Sequence, residues 1–191
     1  MKKFILSILL TFSAILLFAQ YPPAAGQEGS TAIKWDSTIF KAWATGCQIQ
    51  RGLLQIDDPT VTYGGYNHAS FGTPSIVLGQ AKESSMDIAS LGDGGYAILT
   101  FDRPIVNGDG FDFAVFENGF SDTFLELAFV EVSSDGIHFV RFPSVSLTQE
   151  STQIGGFDGL DPTKINNLAG KYRQGYGTPF DLAELADSAN L

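Results

Sequence analysis

The chain has 191 residues with 21 acidic and 11 basic side chains, which gives a formal net charge of −10 at pH 7. This length suits one domain with a full hydrophobic core, alone or with a short extension. The acidic balance argues against a nucleic-acid partner, because contact with phosphates needs clustered Lys and Arg. It suits divalent cations, neutral sugars or simple solubility.

The N-terminus has the three parts of a signal peptide. Lys2 and Lys3 give a positive start, residues 4–18 are nearly all apolar, and Ala19 is a small residue before a cleavage site. The apolar run is shorter than the roughly 20 residues that cross a bilayer, so we expect no membrane insertion after cleavage. The chain therefore divides into three predicted segments: a signal peptide at 1–19, an extended leader at 20–30, and a single β-sandwich domain at 31–191.

Cys47 is the only cysteine. A single thiol allows neither a disulfide within the chain nor a Cys-based zinc site. We interpret it as a small buried apolar residue, with a reactive thiol or a link between chains as the alternative.

Short apolar segments separated by Gly- and Pro-rich turns predict an all-β protein. The predicted strands lie at residues 48–51, 61–63, 75–78, 87–91, 96–101, 111–118, 126–133 and 137–142. Their spacing of about ten residues, without helical crossovers, favours an antiparallel β-sandwich over a parallel α/β sheet.

The strand at 111–118 is predicted to be central, because both of its alternating sides are mostly apolar. It would pack beside the hairpin that turns at residues 134–136, where an Asp-Gly pair tolerates positive φ. The predicted core of these adjacent antiparallel strands consists of Phe113, Val115, Phe116, Phe129, Val130 and Val132.

Two short helices are predicted in the C-terminal part. One spans 161–169, and the second starts at Thr178, which can cap, with Pro179 in the first helical position and Asp181 in the first turn. No closing strand follows this helix before Leu191, so we expect a sandwich that lacks its final strands.

Six blocks of the sequence resemble a family of exported cell-surface proteins of Bacteroidota-type bacteria. They are SLGDGG (90–95), FDRPIVNG (101–108), FDFAVFENGF (111–120), ELAFVEVSSDG (126–136), LAGKY (168–172) and GTPFDL (177–182). The resemblance covers residues 42–191. It implies a galactose-binding-like jelly roll and a secreted or cell-surface location, often with a downstream sorting tail for the type IX secretion route. It implies no established reaction.

Oxygen-bearing side chains gather around the predicted central strand and in one neighbouring Gly-rich turn. Calcium takes six to eight oxygen ligands, and Gly-rich turns let backbone carbonyls point inward. The spacing is not that of an EF-hand. We predict a structural calcium with ligands drawn from Asp93, Asn107, Asp109, Asp112, Glu117 and Asn118. The alternative is that these residues are ordinary turn formers.

Aromatic and polar side chains also share two predicted loops. Aromatic rings on loops stack on sugar faces, while amide, imidazole and guanidinium groups bind hydroxyls. The predicted ligand-binding residues are Tyr63, Tyr66, His68, Tyr172, Arg173 and Tyr176. The alternative is that the rings hold the loops onto the sheet.

Catalysis has little support in the sequence. Glu117 with Glu126 or Glu131 offers the carboxylate types of a glycosidase, but nothing in the sequence sets their separation. No nucleophile elbow, phosphate loop or zinc-protease motif occurs. We therefore expect no catalytic residues and a secreted cell-surface module that binds carbohydrate. The alternatives are a structural or adhesive segment of a larger surface protein and, third, a glycoside-acting enzyme.

Overall fold

The structure is a computed structural model, and it describes residues 21–149, 151, 154–155 and 158–186. The predicted signal peptide at 1–19 lies outside these residues. The regular structure of the described residues is mostly strands in small antiparallel sheets, with almost no helix, which confirms the all-β prediction at this level. None of the sheets formed by these residues closes on itself. Within the same residues, no helix is long and apolar enough to cross a membrane.

Nine strands and three 3-10 helices make up the regular structure of the described residues. The strands are β1 (Ile33–Lys34), β2 (Gly46–Gln50), β3 (Tyr96–Thr100), β4 (Phe113–Val115), β5 (Glu131–Val132), β6 (Val140–Arg141), β7 (Val145–Ser146), β8 (Ile165–Asn166) and β9 (Tyr176–Phe180). The 3-10 helices are Pro74–Val77, Pro162–Lys164 and Leu182–Leu185.

Strand β9 is the centre of the largest sheet, whose order is β1-β9-β4. The register places Gly177 opposite Ile33 and Phe180 opposite Phe113. The predicted helix start at Thr178 is therefore wrong, because a strand that pairs on both edges satisfies more backbone groups than one cap does. The helix begins later, at Leu182, and the Asp181 carboxylate caps it by accepting the N–H of Ala183 at 2.8 Å.

Strands β2 and β3 form a separate two-stranded ribbon, close to the bounds predicted for these two strands. Three other predicted strands are absent. Residues 75–78 mostly belong to the 3-10 helix that starts at Pro74, residues 61–63 contribute one isolated bridge, and residues 87–91 are irregular. The carbonyl of Leu91 accepts the N–H of Gly52 at 2.7 Å, so this last segment is fixed by single contacts instead of a ladder.

The core lies in the C-terminal half of the domain. One cluster contains Leu125, Ile165 and Leu168, and the other contains Phe142, Phe180 and Leu185. Four predicted core residues pack against the second cluster: Phe113, Val115, Val130 and Val132.

Two parts of the core prediction are corrected. Phe129 is 60% exposed, because its neighbour Val130 takes the inward side of an extended segment. The Arg141 guanidinium covers its ring at 4.2 Å. Strand β4 pairs with β9 and not with the hairpin strand β5. Phe116 is half-buried, with Trp43 5.6 Å away between ring centres.

The predicted leader lies against the rest of the protein in its described part. Ala24 and Ala25 are buried, and the N–H of Tyr21 donates to the carbonyl of Thr163 at 3.1 Å. Residues 24–29 form turns. This segment therefore contributes to the packing near the second 3-10 helix.

Candidate functional site

Tyr63 and Tyr66 flank a two-residue hairpin turn. The N–H of Tyr63 donates to the carbonyl of Tyr66 at 2.8 Å, and the reverse hydrogen bond is 3.1 Å long. Gly64 and Gly65 have φ angles of 59° and 86°, which side-chain-bearing residues rarely adopt. Residues that exchange both hydrogen bonds project to the same side of a ladder. The two tyrosines therefore share one face of the turn.

Both tyrosine side chains are open to solvent. Tyr63 is 82% exposed and Tyr66 is 74% exposed. Large aromatic side chains dominate buried cores and interfaces, so two such rings on one rigid turn form an unusual exposed apolar surface.

The base of this hairpin is anchored to the segment that follows β2. Leu53 forms a bridge with His68, and the N–H of Leu54 donates to the carbonyl of Asn67 at 2.8 Å. The Asn67 amide donates to the carbonyl of Pro59 at 3.0 Å, and its oxygen lies 2.8 Å from Nδ1 of His68. His68 is exposed, and its ring is held by Asn67, a residue that the sequence prediction missed.

The other three predicted ligand-binding residues have different surroundings. Tyr172 is only 1% exposed, and its hydroxyl lies 2.8 Å from Oγ1 of Thr31, so its ring is not open to a ligand. Arg173 pairs with Asp122 at 3.1 Å and lies 4.6 Å over the ring of Tyr176. Among the described residues, no hydrogen bond or ring contact joins this group to the hairpin.

Lys171 is a buried cation that the sequence did not single out. It is 3% exposed, and its Nζ donates to the carbonyl of Ile165 at 2.7 Å. The rings of Tyr172 and Tyr21 lie 5.6 and 5.9 Å from this nitrogen. Burial lowers the pKa of Lys171 to about 8, because the charged amine is partly removed from water.

Glu117 is a partly buried carboxyl group next to a second carboxyl group. Burial raises the pKa of Glu117 to about 7, and the neighbouring Glu126 adds to this rise through charge and a shared hydrogen bond. The N–H of Gly119 donates to Oε2 of Glu117 at 2.9 Å and opposes the rise. Gly170 permits this packing, since a Cβ there would collide with the backbone oxygen of Glu126.

Glycoside hydrolysis needs two carboxyl groups that face each other across a glycosidic bond, roughly 5–10 Å apart. Glu117 and Glu126, one of the pairs considered from the sequence, are close enough for the charge of Glu126 to raise the pKa of Glu117. Glu131, the other carboxylate considered, pairs with Arg141 at 2.7 Å on the β5–β6 hairpin.

The six predicted calcium ligands lie in three segments of the chain. Asp93 lies in a turn beside Leu53, two predicted ligands follow β4, and the remaining three precede it. Those after β4 are Glu117 and Asn118, and those before it are Asn107, Asp109 and Asp112.

Several of these predicted ligands already have hydrogen-bond partners. Both carboxylate oxygens of Asp112 accept backbone N–H groups, from Gly108 at 2.7 Å and from Leu182 at 2.8 Å. The Asp93 carboxylate accepts the N–H of Ile56 at 3.0 Å. Over the described residues, no group of three or more His, Cys, Asp or Glu side chains is placed to hold a metal ion. Calcium stays a prediction from the sequence.

Comparison of the chain with protein-family models, with curated proteins and with solved structures finds no match. The resemblance to exported cell-surface proteins stays an expectation from the sequence blocks.

Proposed function

We propose that the protein is a secreted, non-catalytic cell-surface module of galactose-binding-like jelly-roll type, and that its Tyr63–Tyr66 hairpin binds a neutral carbohydrate. The observation that carries this proposal is the pair of tyrosines, 82% and 74% exposed, on one face of a rigid turn. The C–H face of a sugar ring is apolar, so it gains by stacking on such rings. His68 follows Tyr66 by two residues, is exposed, and has a ring nitrogen suited to a sugar hydroxyl.

Charge favours a neutral ligand over an acidic one. The formal net charge of −10 becomes −12 when the two lysines of the predicted signal peptide are removed. A surface with this charge repels uronate and sulfate groups at low salt. Neutral hydroxylated ligands are not repelled by this charge.

A glycan array tests the proposal directly. The wild-type protein should bind neutral glycans reproducibly, and Tyr63→Ala and Tyr66→Ala should each remove most of that signal. Phe111→Ala is the matched control, because Phe111 is also a half-exposed aromatic residue, at 49%, and lies outside the hairpin. Equal loss of signal in the control and in the tyrosine variants would contradict the assignment to the hairpin.

The second candidate is a structural or adhesive segment of a larger surface protein. Exposed apolar side chains favour it: Phe120 is 61% exposed and Ile137 is 76% exposed. Where exposed apolar side chains join into one contiguous patch, they commonly mark protein contacts. A silent glycan array together with adhesion of the purified protein to cells would support this candidate over the first.

A structural calcium is part of the proposal from the sequence, and thermal melting tests it. If the acidic residues bind calcium, free calcium at 100 times its dissociation constant should add about 2.7 kcal/mol to the free energy of unfolding. The melting temperature should then rise with calcium and fall with a chelator. A midpoint that responds to neither would overturn the calcium prediction and leave the carbohydrate proposal standing.

A further inference from the structure

One face of the β2–β3 ribbon contains a shallow depression. Its lining residues are Gln48, Ile49, Gln50, Tyr96 and Ile98. The register places Gln48 opposite Ile98 and Gln50 opposite Tyr96. Residues two apart on a strand, and residues directly opposite across a ladder, project to the same side. These four side chains therefore form one continuous surface.

The polar groups of this face are available to a ligand. Gln48 is exposed, and its side chain makes no hydrogen bond with any described residue. The Gln50 amide is exposed and donates only a 3.5 Å hydrogen bond to the carbonyl of Arg51. Tyr96 is 54% exposed. A ligand at this face would therefore displace water from the Tyr96 ring and the Gln48 amide, and it would compete with one long hydrogen bond at Gln50.

The chemistry of the face matches a neutral sugar. Neither β2 nor β3 contains a charged residue, although the whole chain carries a net charge of −10. Amide side chains both donate and accept hydrogen bonds, as sugar hydroxyls do. An aromatic ring beside two such amides offers a stacking surface together with partners that fix the orientation of a sugar.

We propose that this face is a second carbohydrate subsite, in which Tyr96 stacks on one neutral sugar unit while Gln48 and Gln50 bind its hydroxyls. The inference rests on the proposed function and specifies its ligand class. Leu53, which pairs with His68 at the base of the hairpin, is three residues beyond Gln50, at most about 11 Å along the chain. The Gln50 end of this face is therefore close along the chain to the base of the hairpin, and an oligosaccharide of several units is the ligand class that would occupy both subsites.

The test compares affinities for neutral oligosaccharides that score on the glycan array. Tyr96→Ala should weaken binding about tenfold, the upper range of one aromatic stacking contact. The double variant Gln48→Ala/Gln50→Ala should weaken it by a similar factor. Leu99→Ala is the matched control, because Leu99 is 40% exposed on the opposite face of β3. Thermal melting of each variant checks that the ribbon is folded.

The outcomes separate this inference from the proposed function. Weaker binding in the Tyr96 and glutamine variants, with the Leu99 control unchanged, supports the second subsite. Binding that depends only on Tyr63 and Tyr66 overturns it and leaves the proposed function intact. Binding that depends on the ribbon but not on the hairpin supports the subsite and overturns the hairpin assignment. No binding by the wild-type protein overturns both.

Discussion

The region from β2 to β3 and the region from β4 to the last 3-10 helix are held together by different forces. Between residues 46 and 100, Ala69 is the only buried apolar side chain among the described residues. Turns with positive-φ glycines and single backbone hydrogen bonds shape this part. Between residues 113 and 185, packed side chains such as Phe142, Ile165 and Phe180 form the core. Many apolar residues of the first region therefore stay exposed to solvent.

The largest expected effect on the free energy of unfolding is in the second region, between residues 113 and 185. Phe180 is fully buried, with its ring centre 5.3 Å from that of Phe113 and 5.0 Å from that of Phe142. Phe180→Ala should lower the free energy of unfolding by about 3–5 kcal/mol, because it leaves a cavity between these rings. Urea unfolding measures the change. Tyr63→Ala, at a site 82% exposed, should cost less than about 0.5 kcal/mol. Similar losses of unfolding free energy in the two variants would contradict the difference between the two regions.

The second effect is the pH dependence of the free energy of unfolding, which arises from Glu117 in the second region. The pKa of Glu117 is raised to about 7 in the folded protein from an ordinary value of 4.5. The folded state therefore binds the proton more tightly, so the stabilisation is complete below pH 4.5 and is lost as pH rises to 7. The loss should be on the order of 3 kcal/mol, at 1.36 kcal/mol per pKa unit.

Glu117→Gln should flatten this pH profile, since the amide stays neutral. Urea unfolding at pH 5 and pH 8 measures it, with Glu28→Gln in the exposed part of the leader as the control. A wild-type free energy of unfolding that rises between these pH values would contradict the raised pKa of Glu117.

The third effect is in the first region, between residues 46 and 100. The Arg51 guanidinium donates to the carbonyl of Phe71 at 2.9 Å and to that of Gly72 at 2.7 Å, and it also bonds the carbonyl of Ser90. Arg51→Met should cost about 1.5–3 kcal/mol, because hydrogen bonds from a charged group to carbonyls are lost. Hydrogen exchange should accelerate in residues 67–72 and 88–92 and stay unchanged around Phe180. Faster exchange throughout both regions would show that they do not differ in the way described.

The smallest effect is in the hairpin. Gly65 has a φ of 86°, and a Cβ there would meet no atom within 4 Å. Gly65→Ala should therefore cost only the strain of the left-handed backbone, about 1 kcal/mol. Thermal melting checks the value, with Ala69→Gly as a contrasting change at a buried residue. A cost near zero would mean that the turn does not hold its positive-φ conformation in solution.

Local patterns predicted the local structures and missed the long-range ones. The β2–β3 strands and the turn at Asp135 follow from alternation and turn residues close in sequence. The helix start predicted at Thr178 falls within strand β9, because Thr178 and Pro179 resemble a helix start, whereas the partners of this strand, β1 and β4, are distant in sequence. The exposure of Tyr63 and the burial of Tyr172 depend on tertiary contacts, although the Gly64-Gly65 pair is itself a hairpin signal.

Strand β9 also sets the order in which the chain can acquire its structure. It joins β1 near the start of the domain, and the nearby hydrogen bond between Thr31 and Tyr172 spans 141 positions. Contacts of such sequence separation form late, because the entropy of closing a long loop must be overcome first. A ribosome that delivers the chain N-terminus first would release strand β1 long before strand β9 arrives. The sheet around β9 can therefore form only after β9 itself has been delivered.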